Sequence, residues 1–168
     1  MQPSQIAIED SEVLQNSSSG KGGGVYASIS NVLIDNSVIS NNEAEYRGGG
    51  AQIVDGSQLN MFNSEVSNNQ ANLDVGGGIE FNQSSGFIEN CVISGNIANN
   101  TGGIALISSD IEISSSLISN NIAEQYSGGA LQYNVNSFGT LNNVTIANNS
   151  SIDATIALSS NSSISEIK

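Results

Sequence analysis

The sequence predicts an all-β chain wound as a right-handed parallel β-helix, a solenoid of about six coils of 25–28 residues with three short strands in each. Three observations predict it. A block typified by Ile34 to Ala44 returns at Ile8 to Ser18, Met61 to Ala71, Ile88 to Ala98, Ile113 to Ala123 and Leu141 to Ser151, with Ile167 opening another. A glycine-led segment, Gly22 to Ala27, is echoed from Gly48, Gly76, Thr101, Gly128 and Asp153. Superposing the copies places like residues at like positions, as stacked coils require.

The spacing inside the block sets its geometry. The first apolar residue lies five positions before the second, and the second five before a small residue: Ile34, Ile39, Ala44, then Met61, Val66, Ala71, then Ile88, Ile93, Ala98. Val32 and Ile34 alternate on one parity, Ser37 and Ile39 on the other. A strand of period two changes parity only by turning a corner, so Asp35-Asn36 is a bend between two strands. Asn41-Asn42 is the second corner, because Asn tolerates the left-handed backbone region and bonds its own backbone through its amide.

Stacking gives rows. Asn16, Asn42, Asn69, Asn96, Asn121 and Asn149 form an Asn ladder, each amide bonding its neighbour one coil on. Ile8, Ile34, Met61, Ile88, Ile113, Leu141 and Ile167 form one apolar row. Val13, Ile39, Val66, Ile93, Ile118 and Ile146 form another, β-branched throughout, as a pleated buried surface prefers. The glycine-led segment is the third strand. Its glycines permit a tight turn and close approach of neighbouring coils, since no phosphate-cradling helix follows them. Six coils at ~4.8 Å per coil make a rod of roughly 30 Å. Coils of this length belong to right-handed helices; the strict hexapeptides of left-handed ones are absent.

All 168 residues read as one β-helix domain, 1–168, complete or a segment of a longer solenoid. Low charge (11%) with abundant Ser, Asn and Gly would suit a disordered tract, but disorder needs no apolar rows in register. The net charge is −13, with only Lys21, Arg47 and Lys168 positive. Too few bases exist to neutralise phosphates, which argues against nucleic acid and against an anionic membrane surface. No apolar stretch is long enough to span a bilayer, so direct membrane insertion is not expected. The start shows no charged segment leading into an apolar one, and an export signal is expected outside this stretch. The lone Cys91 occupies the inward small-residue row of Ser11, Ser37, Ser64 and Ser116, where it is read as a buried small hydrophobe. Of the several Asn-X-Ser/Thr sites, Asn82 and Asn99 lie off the inward and corner rows and are the better glycan acceptors.

The candidate binding residues are few. Tyr26, Gln52, Glu80 and Gln132 share the outward row of the third strand with Ala105 and Ala157, and would present amides and an aromatic ring to sugar hydroxyls. Tyr46 and Tyr126 stand in the variable turns, where solenoids commonly bind partners; the alternative is a ring lying over the coil below. The acidity suits divalent cations in general, so Ca²⁺ is left open, but no metal ligand and no other cofactor is assigned.

Gly128-Gly129-Ala130-Leu131, Gly76-Gly77-Gly78-Ile79 and Ile39-Ser40-Asn41-Asn42-Glu43-Ala44 resemble the paired G-G-A-I and F-x-x-N motifs of the polymorphic outer-membrane-protein repeat, within the pectate-lyase-like β-helix superfamily. Ile or Val stands where the second motif has Phe. The resemblance implies a surface-displayed adhesin, or alternatively a secreted protein that binds or degrades acidic polysaccharide. A lyase needs a base, commonly Lys or Arg, beside a charge-neutralising cation. Lys21, Arg47 and Lys168 fall on turns or at the end, with no acidic cluster expected around them. A hydrolase needs paired carboxylates, and the outward third-strand row holds Glu80 alone. No catalytic residue is therefore named and no enzyme is expected. Ile6, Ile8, Ile164 and Ile167 lie in strands whose edges are open, which invites end-to-end pairing with further coils or with other copies. The expectation is a non-catalytic extracellular or cell-surface module, structural or adhesive, stacked end to end or part of a longer fibre, with glycans or other cell-surface molecules as further partners.

Overall fold

The computed structural model of the chain describes residues 2–159 and 161–167, the last three of these by their backbone alone; Lys168 and the side chain of Ile167 lie outside the described residues. Every strand pairs in parallel with the strand one coil away. The first sheet has seven strands: Ser4–Glu9, Ser30–Asp35, Gln58–Phe62, Ser85–Glu89, Asp110–Ser114, Phe138–Asn142 and Ser163–Ile167. The second has six: Glu12–Leu14, Val38–Ser40, Glu65–Ser67, Val92–Ser94, Leu117–Ser119 and Thr145–Ala147. Among the described residues there is no helix. The chain is a parallel β-helix of about six turns.

The coil carries four strands, where three were expected. The small residue that closes each block sits in a ladder of its own, the third sheet: Ser17–Ser18, Glu43–Ala44, Gln70–Ala71, Ile97–Ala98 and Ile122–Ala123. Two residues per strand are too few for an alternation to be legible, yet their backbone groups still bond across coils, as in Glu43 N–H to the Asn16 carbonyl (2.8 Å). The fourth sheet is the glycine-led strand, Val25–Ser28, Ala51–Val54, Ile79–Asn82, Ile104–Ile107, Leu131–Asn134 and Ile156–Leu158.

The expected corners are present and their cause is visible in the backbone. Asp10, Asn36, Asn63, Asn90, Ser115 and Asn143 turn the first corner at positive φ; Gln15, Asn41, Asn68, Gly95, Asn120 and Asn148 turn the second. The third corner, between the fourth sheet and the next first-sheet strand, carries Ile29 (φ 50°) and Val135 (φ 51°), β-branched residues in a region that disfavours them.

Inside, the Asn row is an unbroken ladder. Asn42 donates its N–H and Nδ2 to Asn69 Oδ1 (2.9 and 3.0 Å) and Nδ2 again to the Val13 carbonyl (2.8 Å); Asn69, Asn96 and Asn121 repeat the pattern. Two serine ladders reinforce it at other corners. Ser11 N–H donates to Ser37 Oγ and Ser37 N–H to Ser64 Oγ, while Ser30 N–H donates to Ser57 Oγ and Ser109 N–H to Ser137 Oγ. Each corner N–H that the turn takes out of the sheet thus finds an acceptor one coil on. Cys91 fills its serine position: Sγ lies 3.1 Å from the Glu89 carbonyl, and burial pushes its thiol up to about 11.

The core is the stack of Ile34, Met61, Ile88 and Ile113 against Ile39, Val66, Ile93 and Ile118, closed by the fourth sheet's inward residues. Size is balanced across it. The two aromatic residues of the inward fourth-sheet row, Phe81 and Tyr133, face glycines: a Cβ on Gly86 would lie 2.7 Å from the Phe81 ring, and one on Gly139 would collide with Tyr133. Where the fourth sheet supplies Ala27, Ile53 or Leu106, the same first-sheet row carries Val32, Leu59 or Ile111. A fixed coil cross-section demands such complementary volumes.

Candidate functional site

Two clefts lie on the outward face of the first sheet. Alternate residues point out, so two outward rows run along the axis: Gln5, Asn31, Gln58, Ser85, Asp110 and Phe138 form one, and Ala7, Leu33, Asn60, Phe87, Glu112 and Thr140 the other. Between them lies the inward row that includes Ile6, Val32, Gly86, Ile111 and Gly139, whose backbone makes the floor of a trench. Clefts open at both ends, one at Gln5, Asn31, Val32 and Asn60, the other at Gly86, Asp110, Glu112 and Phe138. The wall residues are one per coil, ~4.8 Å apart along the axis.

The two ends of the trench differ in chemistry. The first coils offer amides and aliphatic groups, Gln5, Asn31 and Asn60 with Leu33. Later coils offer Phe87, Phe138, Asp110 and Glu112, with Phe138 about half exposed. Asp110 and Glu112 stand on opposite walls. Beside the trench, at the first corner, Phe62 and Phe87 pack with ring centroids 5.7 Å apart, tilted by 52°. A further cleft there is lined by Asp35, Phe62, Asn63, Glu89 and Asn90, and Asn63 and Asn90 donate outside the coil to Asp35 and Asn63 at 3.0 and 2.7 Å.

The row expected to bind is differently placed. Gln52 and Glu80 are buried, at 1% and 0% exposure, so Tyr26, Gln52, Glu80 and Gln132 do not make an open face. Around Gln52 and Glu80 the covering group is Arg47, which reaches Asp74 and Glu80 across coils while Gln52 bonds Glu80. The glycine turn is not the difference: Gly22 and Gly48 share φ 63°, and a Cβ there would lie 2.8 Å from Tyr26 Cβ or 2.7 Å from Gln52 Cβ. Tyr26 stays half exposed, and Gln132 is intermediate, accepting from Thr101 Oγ1 at 2.5 Å.

Arg47 also departs from expectation, since acids do surround it. Its Nε lies 2.5 Å from Asp74 Oδ2 and its Nη1 3.2 Å from Glu80 Oε1, and Gln52 Nε2 donates to Glu80 Oε2. Burial raises the Glu80 carboxyl above its ordinary range, against the opposing pull of Gln52 and Arg47. These residues lie in different coils, which is why their contact escaped the one-dimensional reading. The arrangement is a clasp that holds the turns on the fourth sheet.

Tyr46 and Tyr126 are about half exposed, 48% and 56%. Leu73 and Ile152 extend the same column of turns and are exposed as well; their backbone N–H groups bond Glu45 and Tyr126 one coil away. The six Asn of the ladder are structural, as their spacing implies. Among the described residues no three His, Cys, Asp or Glu side chains gather as a metal-binding group. The trench walls were missed because the first strand was read for its inward apolar residues alone; Phe62, Phe87 and Phe138, recurring on its outward parity, were the available signal.

In comparisons with known proteins, no family model, no curated protein and no solved structure matched the chain.

Proposed function

We propose that the chain is a non-catalytic adhesive module of a cell surface or the extracellular space, holding an extended glycan along the first-sheet trench. The observation that carries this reading is the pair of clefts along the first-sheet rows, with half-exposed Phe138 and partly buried Phe87 beside amides and carboxylates. Aromatic rings offer apolar faces to sugar rings, and amides and carboxylates take their hydroxyls. A peptide strand is a poorer occupant: the floor's N–H and C=O groups serve the parallel ladder, and peptide strands add at sheet edges. In the same reading the rod is one stretch of a longer surface fibre, made by flanking coils or by copies stacked end to end.

The test is binding to an immobilised panel of neutral, acidic and basic glycans, with Phe87→Ala and Phe138→Ala as variants. Binding that falls by about tenfold in either variant, roughly 1.4 kcal/mol, supports the trench as the site. A panel without a binder, or binding indifferent to both rings, sinks the proposal.

A second reading has one observation in its favour. Asp110 and Glu112 are two residues apart on one strand, ~6.6 Å by strand rise, and face each other across the trench. Glycoside hydrolases use carboxyl groups about 5–9.5 Å apart. Both residues are solvent-exposed, however, whereas a glycosidase's general acid sits in a desolvated pocket. Release of reducing ends from a bound glycan, abolished by Asp110→Asn, would favour catalysis.

A further inference from the structure

We infer that the trench takes a cationic glycan, an amino-sugar polymer whose free amines pair with Asp110 and Glu112 while its sugar faces lie on Phe87 and Phe138. This rests on the trench being a glycan site and adds the class of sugar.

Charge selects the occupant. The described outward face of the first sheet carries Glu9, Asp35, Glu89, Asp110 and Glu112 and no Lys or Arg. Arg47 is committed to the clasp on the fourth sheet and Lys21 lies one coil before it in the same column of turns. An anionic polysaccharide would be repelled at Asp110 and Glu112. A neutral one would meet Asp110 and Glu112 with hydroxyl hydrogen bonds alone, whereas an ammonium adds its charge to those bonds. A protonated amine between the walls reaches both.

The rings are placed to act with the carboxylates. Phe138 is the Cα partner of Asp110 one coil on, and Phe87 the partner of Glu112 one coil back. Each wall therefore sets an aromatic ring ~4.8 Å along the axis from an acid, Phe138 half exposed and Phe87 packed in part on Phe62, and the two pairs run in opposite senses. A polymer lying in the trench meets a ring, then facing acids, then a ring. An amine over a ring also gains a cation–π attraction.

The experiment is calorimetric titration of the intact chain, at mildly acidic pH, with hexamers of glucosamine, N-acetylglucosamine and galacturonate, and with oligolysine. The glucosamine hexamer is expected to bind at least about tenfold tighter than its acetylated form, a difference of roughly 1.4 kcal/mol. Asp110→Asn with Glu112→Gln should erase that preference, Phe138→Ala should weaken both sugars, and Glu124→Gln, away from the face, should change neither. Circular dichroism confirms that these surface variants fold. Equal binding of the two hexamers, or a preference that survives loss of both acids, overturns the amine assignment and leaves the glycan reading standing. Oligolysine binding as tightly as the glucosamine hexamer overturns it too, by reducing the effect to charge. No binding of any sugar overturns both.

Discussion

Arg47 Nη1 lies 3.2 Å from Glu80 Oε1, joining a partly buried arginine to a carboxylate that has no exposed surface. Glu80 tolerates its burial because Arg47 and Gln52 each bond one of its oxygens. Arg47→Ala should cost about 2–4 kcal/mol by chemical denaturation, since it leaves the buried carboxylate without a countercharge. Glu80→Gln in the same chain should restore most of that loss. An additive double mutant would show that the clasp is not coupled.

The same pair sets a pH dependence. Burial raises the Glu80 carboxyl in the folded state above its unfolded value of about 4.5, so between the two the folded state binds more protons. This group's contribution is fully present below the unfolded value and is lost as pH rises through the folded one. The stability difference between Glu80→Gln and the parent should therefore grow in favour of the variant as pH rises across that window. Melting curves at several pH values measure it, and a difference that does not change with pH contradicts the burial argument.

The Asn ladder predicts a gradient along the rod. Asn69 accepts two bonds from Asn42 and donates to the Ile39 carbonyl and to Asn96, all between 2.9 and 3.0 Å or at those limits. Asn69→Ala should cost about 3–5 kcal/mol, because it orphans buried donors and acceptors in both adjacent coils. Asn16, exposed at the first coil, donates to Asn42 alone, and Asn16→Ala should cost about 1 kcal/mol. Equal losses at the two sites would mean that the bonds do not form a coupled row.

Volume complementarity gives a double-mutant cycle. Gly86→Ala drives a methyl into the Phe81 ring and should destabilise by about 1–3 kcal/mol. Phe81→Leu alone opens a cavity. The pair together should be more stable than the two single effects predict, with a coupling of at least about 1 kcal/mol.

At the third corner, Ile29 holds φ 50° with its side chain about half exposed. Ile29→Asn should stabilise the chain by about 1 kcal/mol, as Asn occupies this backbone region more readily. An unchanged or lower denaturation midpoint would show that Ile29 contributes packing that outweighs its backbone strain.

Much of the architecture was written in spacing. The five-residue intervals of Ile34, Ile39 and Ala44 determined coil register, and the corner Asn residues determined where the chain bends, because period-two alternation and left-handed backbone preference are local properties. The ladder of Asn16 to Asn149 followed from the same periodicity. The complementary sizes of Phe81 with Gly86 and Tyr133 with Gly139 were also present in the sequence, five and six positions apart.

Tertiary structure alone decided which outward residues are available to a partner. Tyr26, Gln52, Glu80 and Gln132 share one outward parity, yet the reach of Arg47 across coils and the Gln52–Glu80 bond cover the middle two. Alternation fixes whether a side chain points away from the core; it does not fix what later folds over it. Likewise Asp110 and Glu112 become facing walls of one trench only when neighbouring coils extend their rows into a surface. The sequence by itself determined the coil, because its bonds repeat at a constant interval, while the exposed site depended on turns of unequal length and on contacts between coils that no interval encodes.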